Sequence, residues 1–291
     1  MVGNEMTNEF TAGAVTVTSR TVAVRGTKLH VHEAGAGETL VLLHGGGPGA
    51  SGWSNFGGNV AALAEHFRVV VPDQPGYGRS DKPDFDGDYW TFTAGCVAEL
   101  LDVLGVEKAH FVGNSLGGGT TTRLALDHPD RIDRMILMGP AGVSVNVLTP
   151  HPSEGLKILS SFYDAPGPSR ERMAAFVRMM VFDPAMVTEE LITERLEAAL
   201  DPDARAGALR AVQSIMSSPD AQLWRYLHEV HHQTLLVWGR DDRVVPVDGG
   251  LLALQRMPNA DLHVFSRCGH WAQSERREEF NRLAFDFFTG R

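Results

Sequence analysis

The 291-residue sequence predicts an α/β fold with a mostly parallel eight-stranded sheet, helices on both faces, and a helical cap inserted between two strands. Three observations lead to this prediction. Short apolar segments alternate with segments of helical spacing over most of the chain. A Gly-x-Ser-x-Gly sequence, Gly113–Gly117, lies where a predicted strand meets a helix. A long segment, residues 143–218, has helical spacing and no strand pattern.

Eight segments have the length and composition of strands, and the first two alternate like an antiparallel pair with a turn at Arg25–Thr27. In chain order these strands are Val15–Val24, Lys28–Glu33, Leu40–Leu43, Arg68–Pro72, Ala109–Val112, Met135–Gly139, Thr234–Trp238 and Asp261–Phe265. Helices are predicted over Asn59–Phe67, Thr91–Leu104, the segment that follows Ser115 to about His128, Gly250–Arg256 and Ser274–Phe288. Residues 1–14 are small and polar, which predicts a loose arm.

The cap is predicted from the break in this alternation after residue 142. Three segments with helical spacing follow, punctuated by proline and glycine. They are Arg170–Phe182, Thr188–Leu200 and Ala204–Ser217. We therefore expect a core made of residues 1–142 and 219–291, with residues 143–218 forming the cap.

Composition excludes several classes of function. The net charge of −10 leaves no basic surface for nucleic acid. No apolar stretch approaches the ~20 residues that span a bilayer, and Met1–Phe10 lacks a signal-peptide pattern. The only two cysteines, Cys96 and Cys268, cannot build a disulfide framework. A cytoplasmic protein without nucleic-acid or membrane partners is the expectation.

The Gly-x-Ser-x-Gly sequence predicts a nucleophile elbow with Ser115 as the nucleophile. A tight strand-to-helix turn lifts the serine hydroxyl above the sheet edge, and only glycine fits on either side. The N-terminus of the following helix directs unpaired N–H groups toward a developing oxyanion. We expect the backbone N–H groups of Leu116 and Gly46 to form the oxyanion hole, with Gly46 supplied by the loop that starts at His44. His44 itself is expected to be a packed turn residue.

A serine needs a base to take its proton and a carboxylate to orient that base. In this architecture the acid and then the histidine follow the serine, at the ends of later strands. His270 follows the last predicted strand and is the expected base. Asp241 and Asp242 both follow the strand before it. The spacing from Gly239 favours Asp242 and leaves Asp241 as the competing carboxylate.

The segment His228–His232 matches the H-E-x-x-H zinc signature, which requires both histidines on one continuing helix. Here the chain enters a predicted strand directly afterwards, so a zinc site is not favoured, and we expect no metal or cofactor. Cys268 is expected to be a packed thiol. The methionines of the cap are expected to be core, except that Met180 is equally suited to a substrate-binding wall.

With these motifs placed, the sequence resembles the meta-cleavage product hydrolases, C–C bond hydrolases of the α/β-hydrolase superfamily that act in bacterial aromatic and steroid ring degradation. The resemblance extends over nearly the whole chain. The matching stretches are His44–Ala50, Trp53–Asn55, Gly113–Gly118, Leu137–Pro140, Thr188–Leu191 with Arg195, Trp238–Arg243 and Cys268–Gln273.

The resemblance implies a small-molecule substrate, a 2-hydroxy-6-oxo-hexa-2,4-dienoate made by ring cleavage. Water would split its C5–C6 bond to give a 2-hydroxypenta-2,4-dienoate and a carboxylic acid. Because a carbon leaving group must first become an electron sink, the dienol is converted to a ketone before C6 is attacked. The family works without a cofactor, and it implies a homo-oligomer, a dimer or larger.

The family pattern also implies substrate-binding residues. Arg195 would hold the substrate carboxylate, although from sequence alone it resembles a surface arginine in an acidic helix. Asn55 and Asn114 would line the same polar end, and Trp271 would pack beside His270. The remaining expected contacts are Gly45, Gly47, Met180 and Val244.

Substrate size is suggested by a departure from the pattern. Relatives that act on phenyl ketones tend to carry phenylalanine at the positions of Met180 and Val244. The segments Asp73–Gly78 and Gly117–Gly119 resemble the steroid-pathway members. A fused-ring, steroid-derived substrate is therefore preferred over a biphenyl-type one. Two other functions stay open: a carboxylesterase with the same triad, and a non-catalytic ligand-binding relative such as a hormone receptor.

Overall fold

A nine-stranded sheet forms the centre of the molecule in the computed structural model, which describes residues 7–145 and 147–291. The strands are β1 (Asn8–Ala12), β2 (Val15–Val24), β3 (Thr27–Ala34), β4 (Thr39–Leu43), β5 (Arg68–Pro72), β6 (Ala109–Asn114), β7 (Ile132–Met138), β8 (Gln233–Gly239) and β9 (Ala260–Phe265). Their order is β1-β2-β3-β5-β4-β6-β7-β8-β9. Strands β4 to β9 run parallel to one another, whereas β1 to β3 add an antiparallel edge in which β3 pairs with β5. The predicted α/β class and mostly parallel sheet are confirmed.

The sheet has one strand more than the eight predicted, because β1 forms inside the predicted loose arm. It pairs antiparallel with β2 from Asn8–Ser19 to Ala12–Val15, after a turn at Gly13 with φ 60°. The ring of Phe10 lies edge-on to Trp53, with centroids 4.9 Å apart. This tertiary contact and the strand pairing stabilise a segment too polar to be recognised as a strand. Residues 1–6 of the predicted arm lie outside the described residues.

Six helices pack on the sheet: α1 (Gly52–Ala64), α2 (Tyr89–Val103), α3 (Leu116–Asp127), α8 (Asp248–Arg256), α9 (Ala272–Glu275) and α10 (Arg277–Thr289). Alternate residues of β4 enter two separate apolar cores, Val41 and Leu43 on one side and Leu40 and Leu42 on the other. The first core is closed by α2, α3 and α8, and the second by α1 and α10. The expected cover on both faces is present.

Among the helices that pack on the sheet, the first and the last differ most from the prediction. The first helix starts at Gly52 instead of Asn59, because Ser51 and Ser54 form a reciprocal capping box. The last predicted helix is two helices, broken at Arg276, where φ is −122° and ψ is 43°. The arginine side chain pairs with Glu279 at this break.

Four helices lie between β7 and β8: α4 (Glu154–Ser161), α5 (Arg170–Met180), α6 (Glu189–Leu200) and α7 (Pro202–Ser217). Their apolar faces form a third buried cluster around Phe162, Met173 and Phe176. Val244 and Trp271, from the loops after β8 and β9, belong to the same cluster. The predicted cap boundaries at residues 143 and 218 remain a prediction. Within the described residues, no helix is long and apolar enough to cross a bilayer.

Candidate active site

Ser115 occupies the turn between β6 and α3 with φ 50° and ψ −110°, a region that non-glycine residues rarely adopt. Its N–H donates to the Met138 carbonyl at 2.8 Å, and its carbonyl accepts from the Ala141 N–H at 2.9 Å. A Cβ on Gly113 would lie 2.5 Å from the Gly117 oxygen, and one on Gly117 would lie 2.1 Å from the Leu43 oxygen. The turn can therefore close only with glycine at both positions.

His270 and Asp242 form a buried pair, with Nδ1 and Oδ2 2.7 Å apart and each side chain 1% exposed. The other carboxylate oxygen of Asp242 accepts the N–H groups of Val244 and Val245 at 2.8 and 3.0 Å. An ionised carboxylate only accepts, so Nδ1 carries the proton and Nε2 is left as the acceptor. Nε2 is buried and has no hydrogen-bond partner among the described residues.

The two candidate carboxylates are distinguished by their surroundings. Asp242 points inward to His270, whereas the carboxylate of Asp241 is 32% exposed and lies 3.3 Å from Arg240. Gly139 connects the pair with the serine turn: a Cβ there would lie 3.0 Å from Asp242 Oδ2 and 3.1 Å from His270 Nδ1. The chain on both sides of Gly139 is the segment that holds Ser115 through backbone hydrogen bonds.

The loop after β4 approaches the serine from the opposite side. A Cβ on Gly45 would lie 3.4 Å from Ser115 Cβ, and one on Gly46 would lie 3.3 Å from Leu116 Cδ2. Leu116 is the first residue of α3, so its N–H has no intrahelical acceptor. The N–H groups of Gly46 and Leu116 are thus carried by two segments that contact each other beside Ser115.

His44 holds this loop in place instead of facing a substrate. Its Nε2 accepts the Gln74 N–H at 2.9 Å, which leaves Nδ1 to donate to the Gly45 carbonyl at 2.8 Å. The Gln74 side chain donates to the His44 carbonyl at 2.7 Å. Burial lowers the pKa of His44, so the imidazole stays neutral.

Arg195 of α6 is buried, with 3% exposure, although the sequence pattern suggested a surface residue. One guanidinium nitrogen donates to the Pro48 carbonyl at 2.9 Å, and Nε has no hydrogen-bond partner within residues 7–145 and 147–291. The guanidinium lies 5.1 Å from the Trp271 ring centre and 5.6 Å from that of Phe176. Burial lowers the pKa of Arg195 to about 10, and it forms no ion pair within 4.0 Å with any described carboxylate. A buried cation without a counter-ion is costly, and an anionic ligand would offset that cost.

In the part of the chain that the structure describes, three buried amide side chains have an oxygen without a donor: Asn55, Asn114 and Gln273. Asn114 precedes Ser115 and donates to the Met138 carbonyl at 3.3 Å. Gln273 donates to the Asn55 carbonyl at 3.3 Å. These oxygens can accept hydrogen bonds from a polar ligand. Gln273 was not predicted as a site residue, although it ends the family-like stretch Cys268–Gln273.

An apolar wall lies beside the His270–Asp242 pair. Met180, Val244 and Trp271 are buried in the third apolar cluster, and the Met180 carbonyl accepts the His270 N–H at 2.7 Å. A Cβ on Gly47 would lie 3.2 Å from Phe176, so the glycine loop directly contacts this cluster. Phe176 was not predicted, because in the sequence it is one apolar position among several on α5.

The structure also bears on the other metal and nucleophile candidates. At the zinc-signature segment His228–His232, the helical structure is limited to a single 3₁₀ turn, Leu227–Glu229. Among the described residues, His232 forms a hydrogen bond with the Pro129 carbonyl at 2.8 Å and none with a second histidine. Among the described residues no group of three metal-ligating side chains could hold an ion. Burial raises the pKa of Cys268, as expected for a packed thiol.

A second serine–histidine–aspartate grouping was not anticipated. Ser19 Oγ lies 2.8 Å from His30 Nε2, and His30 Nδ1 lies 3.4 Å from Asp73 Oδ2. They line a cavity of about 570 Å³ whose lining residues do not include Ser115, Asp242 or His270. Asp73 also accepts the N–H groups of Gly52 and Arg79 at 2.6 and 2.8 Å, and Ser19 lies in a regular strand. This grouping fastens the loop after β5 to the sheet and lacks an elbow.

Comparisons with known proteins agree with this geometry. A model of the α/β-hydrolase fold matches residues 38–177. The chain is 39% identical over 288 residues, 98% of this chain and 99% of the relative, to a 2-hydroxy-6-oxo-6-phenylhexa-2,4-dienoate hydrolase of Burkholderia cepacia. It is 38% identical over 291 residues, with 98% and 99% covered, to a 2-hydroxy-6-oxononadienedioate/2-hydroxy-6-oxononatrienedioate hydrolase of Comamonas testosteroni.

A solved structure gives the same result. The 2-hydroxy-6-oxo-6-phenylhexa-2,4-dienoate hydrolase of a Rhodococcus species superimposes with a TM-score of 0.81 at 31% identity, covering 98% of this chain and 99% of that one. The chain belongs to the α/β-hydrolase family and, within it, to the meta-cleavage product hydrolases, enzymes that hydrolyse carbon–carbon bonds. The expected family is confirmed. The preference for steroid-pathway members is not supported by these relatives and remains a prediction.

Substitution of Gly139 by alanine is expected to slow the reaction of Ser115 with a fluorophosphonate about 10-fold or more. Gly139 has φ 43°, where alanine is strained by about 1 kcal/mol, and the new methyl group would press on the His270–Asp242 pair. The measurement is the rate of covalent labelling, together with the melting temperature.

Gly105→Ala is the matched control, since Gly105 has φ 66° and no atom within 4 Å of a new Cβ. It should lose a similar amount of stability and label at the wild-type rate. Equal labelling rates for Gly139→Ala and the wild type would contradict the proposed crowding at the pair.

Proposed function

We propose that this protein hydrolyses the C5–C6 bond of a 2-hydroxy-6-oxo-hexa-2,4-dienoate, with Ser115, His270 and Asp242 as its catalytic triad. The observation that carries this proposal is the buried guanidinium of Arg195, which has no carboxylate partner among the described residues. A simple ester does not require such a group, whereas a dienoate carries its own carboxylate. The curated relatives are named for hydrolysis of such dienoates.

The substrate is proposed to bind with its carboxylate and 2-oxygen at the polar end and its C6 substituent against the apolar wall. Arg195 would donate to the carboxylate, with its planar guanidinium suited to a two-oxygen acceptor. The free oxygens of Asn55 and Asn114 would accept from the 2-hydroxyl group. Gly45 and Gly47 leave room for close approach of the substrate, since a side chain at either position would contact Asn114 or Phe176.

The first step is proposed to convert the dienol to its keto form. His270 moves a proton from the 2-hydroxyl oxygen to C5, and the π-electrons shift to leave a C2 ketone conjugated with the C3–C4 double bond. Nε2 is the nitrogen available for this transfer, because Nδ1 donates to Asp242. The ketone can now accept the electron pair that the C5–C6 bond releases.

The second step is attack on the C6 carbonyl. His270 takes the hydroxyl proton of Ser115, the serine oxygen bonds to C6, and the oxyanion accepts the N–H groups of Gly46 and Leu116. When the C5–C6 bond breaks, its electron pair passes into the ketone. The fragment that carries this ketone is then protonated and leaves as the 2-hydroxypenta-2,4-dienoate. Water, deprotonated by His270, then releases the acyl group as a carboxylic acid.

Further properties belong to the same proposal. The helices α4–α7 would act as a cap, residues 143–218, over a core of residues 1–142 and 219–291. A cytoplasmic location is supported by the two free, buried cysteines. A homo-oligomer, a dimer or larger, is supported by the exposed apolar side chains of Val147, Leu148 and Leu251. No step requires a cofactor, and the net charge of −10 does not favour nucleic acid.

Wild-type protein is expected to bleach a yellow 6-phenyl dienoate, and Ser115→Ala is expected to lower kcat by about 10³-fold or more. The loss of visible absorbance measures cleavage directly, and 4-nitrophenyl acetate hydrolysis provides the comparison. Faster turnover of the ester than of every dienoate tested would instead indicate a carboxylesterase. Binding without turnover of either class would indicate a ligand-binding relative.

Arg195→Ala is expected to reduce kcat/KM for the dienoate by roughly 10²-fold, because loss of a buried, hydrogen-bonded charge pair costs about 2–5 kcal/mol. Hydrolysis of 4-nitrophenyl acetate, which lacks a carboxylate, should change less than threefold by this reasoning. Arg205→Ala, an exposed arginine of α7, is the matched control and should affect neither substrate. Equal losses on dienoate and ester would contradict the role of Arg195.

The C6 group is proposed to be bulky, with a fused-ring substituent preferred over phenyl. In the apolar wall, Met180 is a flexible side chain and Val244 a small one. Phenylalanine at these positions would instead pack against a flat ring. Met180→Phe should therefore shift the ratio of kcat/KM for fused-ring over phenyl dienoates downward by about 10-fold, within the range that one side chain contributes to discrimination. A wild-type preference for phenyl, or a ratio unmoved by Met180→Phe, would refute this assignment.

A further inference from the structure

Glu275, the last residue of α9, holds two separate segments through its carboxylate. Oε1 accepts the N–H of Gly269 at 2.7 Å. Oε2 accepts the N–H of Phe182 at 2.6 Å and, at 3.4 Å, that of Asp183. Gly269 immediately precedes His270, whereas Phe182 and Asp183 follow the end of α5. One side chain therefore fastens the backbone before His270 to the end of a cap helix.

The same two segments are also joined directly. The His270 N–H donates to the Met180 carbonyl at 2.7 Å, and a Cβ on Gly269 would lie 2.6 Å from that carbonyl oxygen. Two consecutive backbone N–H groups are thus attached to the end of α5. That of Gly269 is attached through Glu275, and that of His270 directly. The backbone that carries the imidazole has little freedom to rotate while both contacts persist.

The loop that carries Asp242 is attached to the same place. The guanidinium of Arg243 donates to the carbonyl of Arg178, near the end of α5. The end of α5 is therefore a common support for the loops of both His270 and Asp242. Its side chain Met180 lies in the apolar wall, so the support and the proposed substrate wall are one segment.

Glu275 occupies this position against its electrostatic preference. Burial raises the pKa of Glu275, and the nearby Asp242 carboxylate acts in the same direction, although three backbone N–H groups oppose them. The neighbouring Arg276 pairs with Glu279 instead. Within the described residues, no side-chain nitrogen of a lysine or arginine lies within 4.0 Å of the Glu275 carboxylate oxygens. A half-buried carboxylate that has no cation and lies beside a second carboxylate costs folding free energy.

We propose that Glu275 is a positioning residue for the reaction: it sets the His270 imidazole against Asp242 and Ser115 by fastening Gly269 to the end of α5. The step it serves is the proton transfer by His270, so this inference rests on the catalytic triad of the proposed function. Among the described residues, Glu275 forms no hydrogen bond with Ser115. Its effect reaches the chemistry through the backbone of His270.

The test compares Glu275→Gln, Glu275→Ala and the control Glu279→Gln. Glutamine keeps the shape of the side chain and one carbonyl acceptor, so it retains one of the two attachments. We expect kcat for the dienoate to fall about 10-fold in Glu275→Gln and about 10²-fold in Glu275→Ala, as a displacement of the order of 1 Å can cause. KM should change less than threefold in both. Glu279→Gln, at an exposed pair of the same region, should match the wild type.

Two further measurements separate positioning from structure and from the proposed substrate. The rate of Ser115 labelling by a fluorophosphonate depends on His270 as base but not on any dienoate, and it should fall in parallel with kcat. Melting temperatures report folding, and Glu275→Gln decides the matter if Glu275→Ala does not fold. An unchanged labelling rate in Glu275→Gln, with or without a lowered melting temperature, would overturn the proposal. Absence of dienoate turnover in the wild type with the labelling effect intact would refute the proposed function alone.

Discussion

The backbone of Ser115 is the constraint on which the site depends. A serine with φ 50° is strained, by about 1–3 kcal/mol for such conformations, and the surrounding structure must compensate. Two backbone hydrogen bonds, to Met138 at the end of β7 and to Ala141 after it, and the absence of side chains at Gly113 and Gly117 do so. Because α3 starts immediately at the turn, its first free N–H lies next to the serine hydroxyl. The strain thus places the proposed nucleophile and one oxyanion donor at a single point.

The parallel sheet brings the other groups to this point. Strands β6, β7, β8 and β9 are adjacent in that order, so their carboxyl ends lie at one edge of the sheet. Ser115, Gly139, Asp242 and His270 each follow one of these four strands. Backbone hydrogen bonds between neighbouring loops maintain the alignment, for instance from the Gly139 N–H to the Val237 carbonyl at 3.1 Å. Residues more than 150 positions apart in the chain therefore lie at the same edge of the sheet.

The helices between β7 and β8 contribute a charged group from α6 and an apolar surface from α5. From α6 comes a buried cation whose only described hydrogen bond goes to the Pro48 carbonyl, in the loop that also carries the proposed oxyanion donor Gly46. From α5 come the apolar wall and the attachment of the His270 loop. A substrate bound beneath these helices would meet charge at one end and hydrocarbon at the other. This asymmetry matches a molecule with a carboxylate at one terminus and an apolar group at the other.

Local sequence patterns were sufficient for most strands, for the sharp turn at Ser115 and for the position of Asp242 and His270 after later strands, because these depend on short-range periodicity and on glycine at fixed positions. They also pointed to Asp242, although only the fold separates it from Asp241 by burying one carboxylate and exposing the other. Patterns could not reveal β1, whose mostly polar residues are held by strand pairing and by the contact of Phe10 with Trp53, or the burial of Arg195, whose helix looks solvent-exposed in the sequence. The attachments of Glu275 were equally hidden, since two of its three backbone N–H partners belong to residues more than 90 positions away. What the sequence determined by itself was the chemistry carried at each strand end. The tertiary structure decided which charges are buried and which loops are joined, because those properties arise only when distant segments exclude water together.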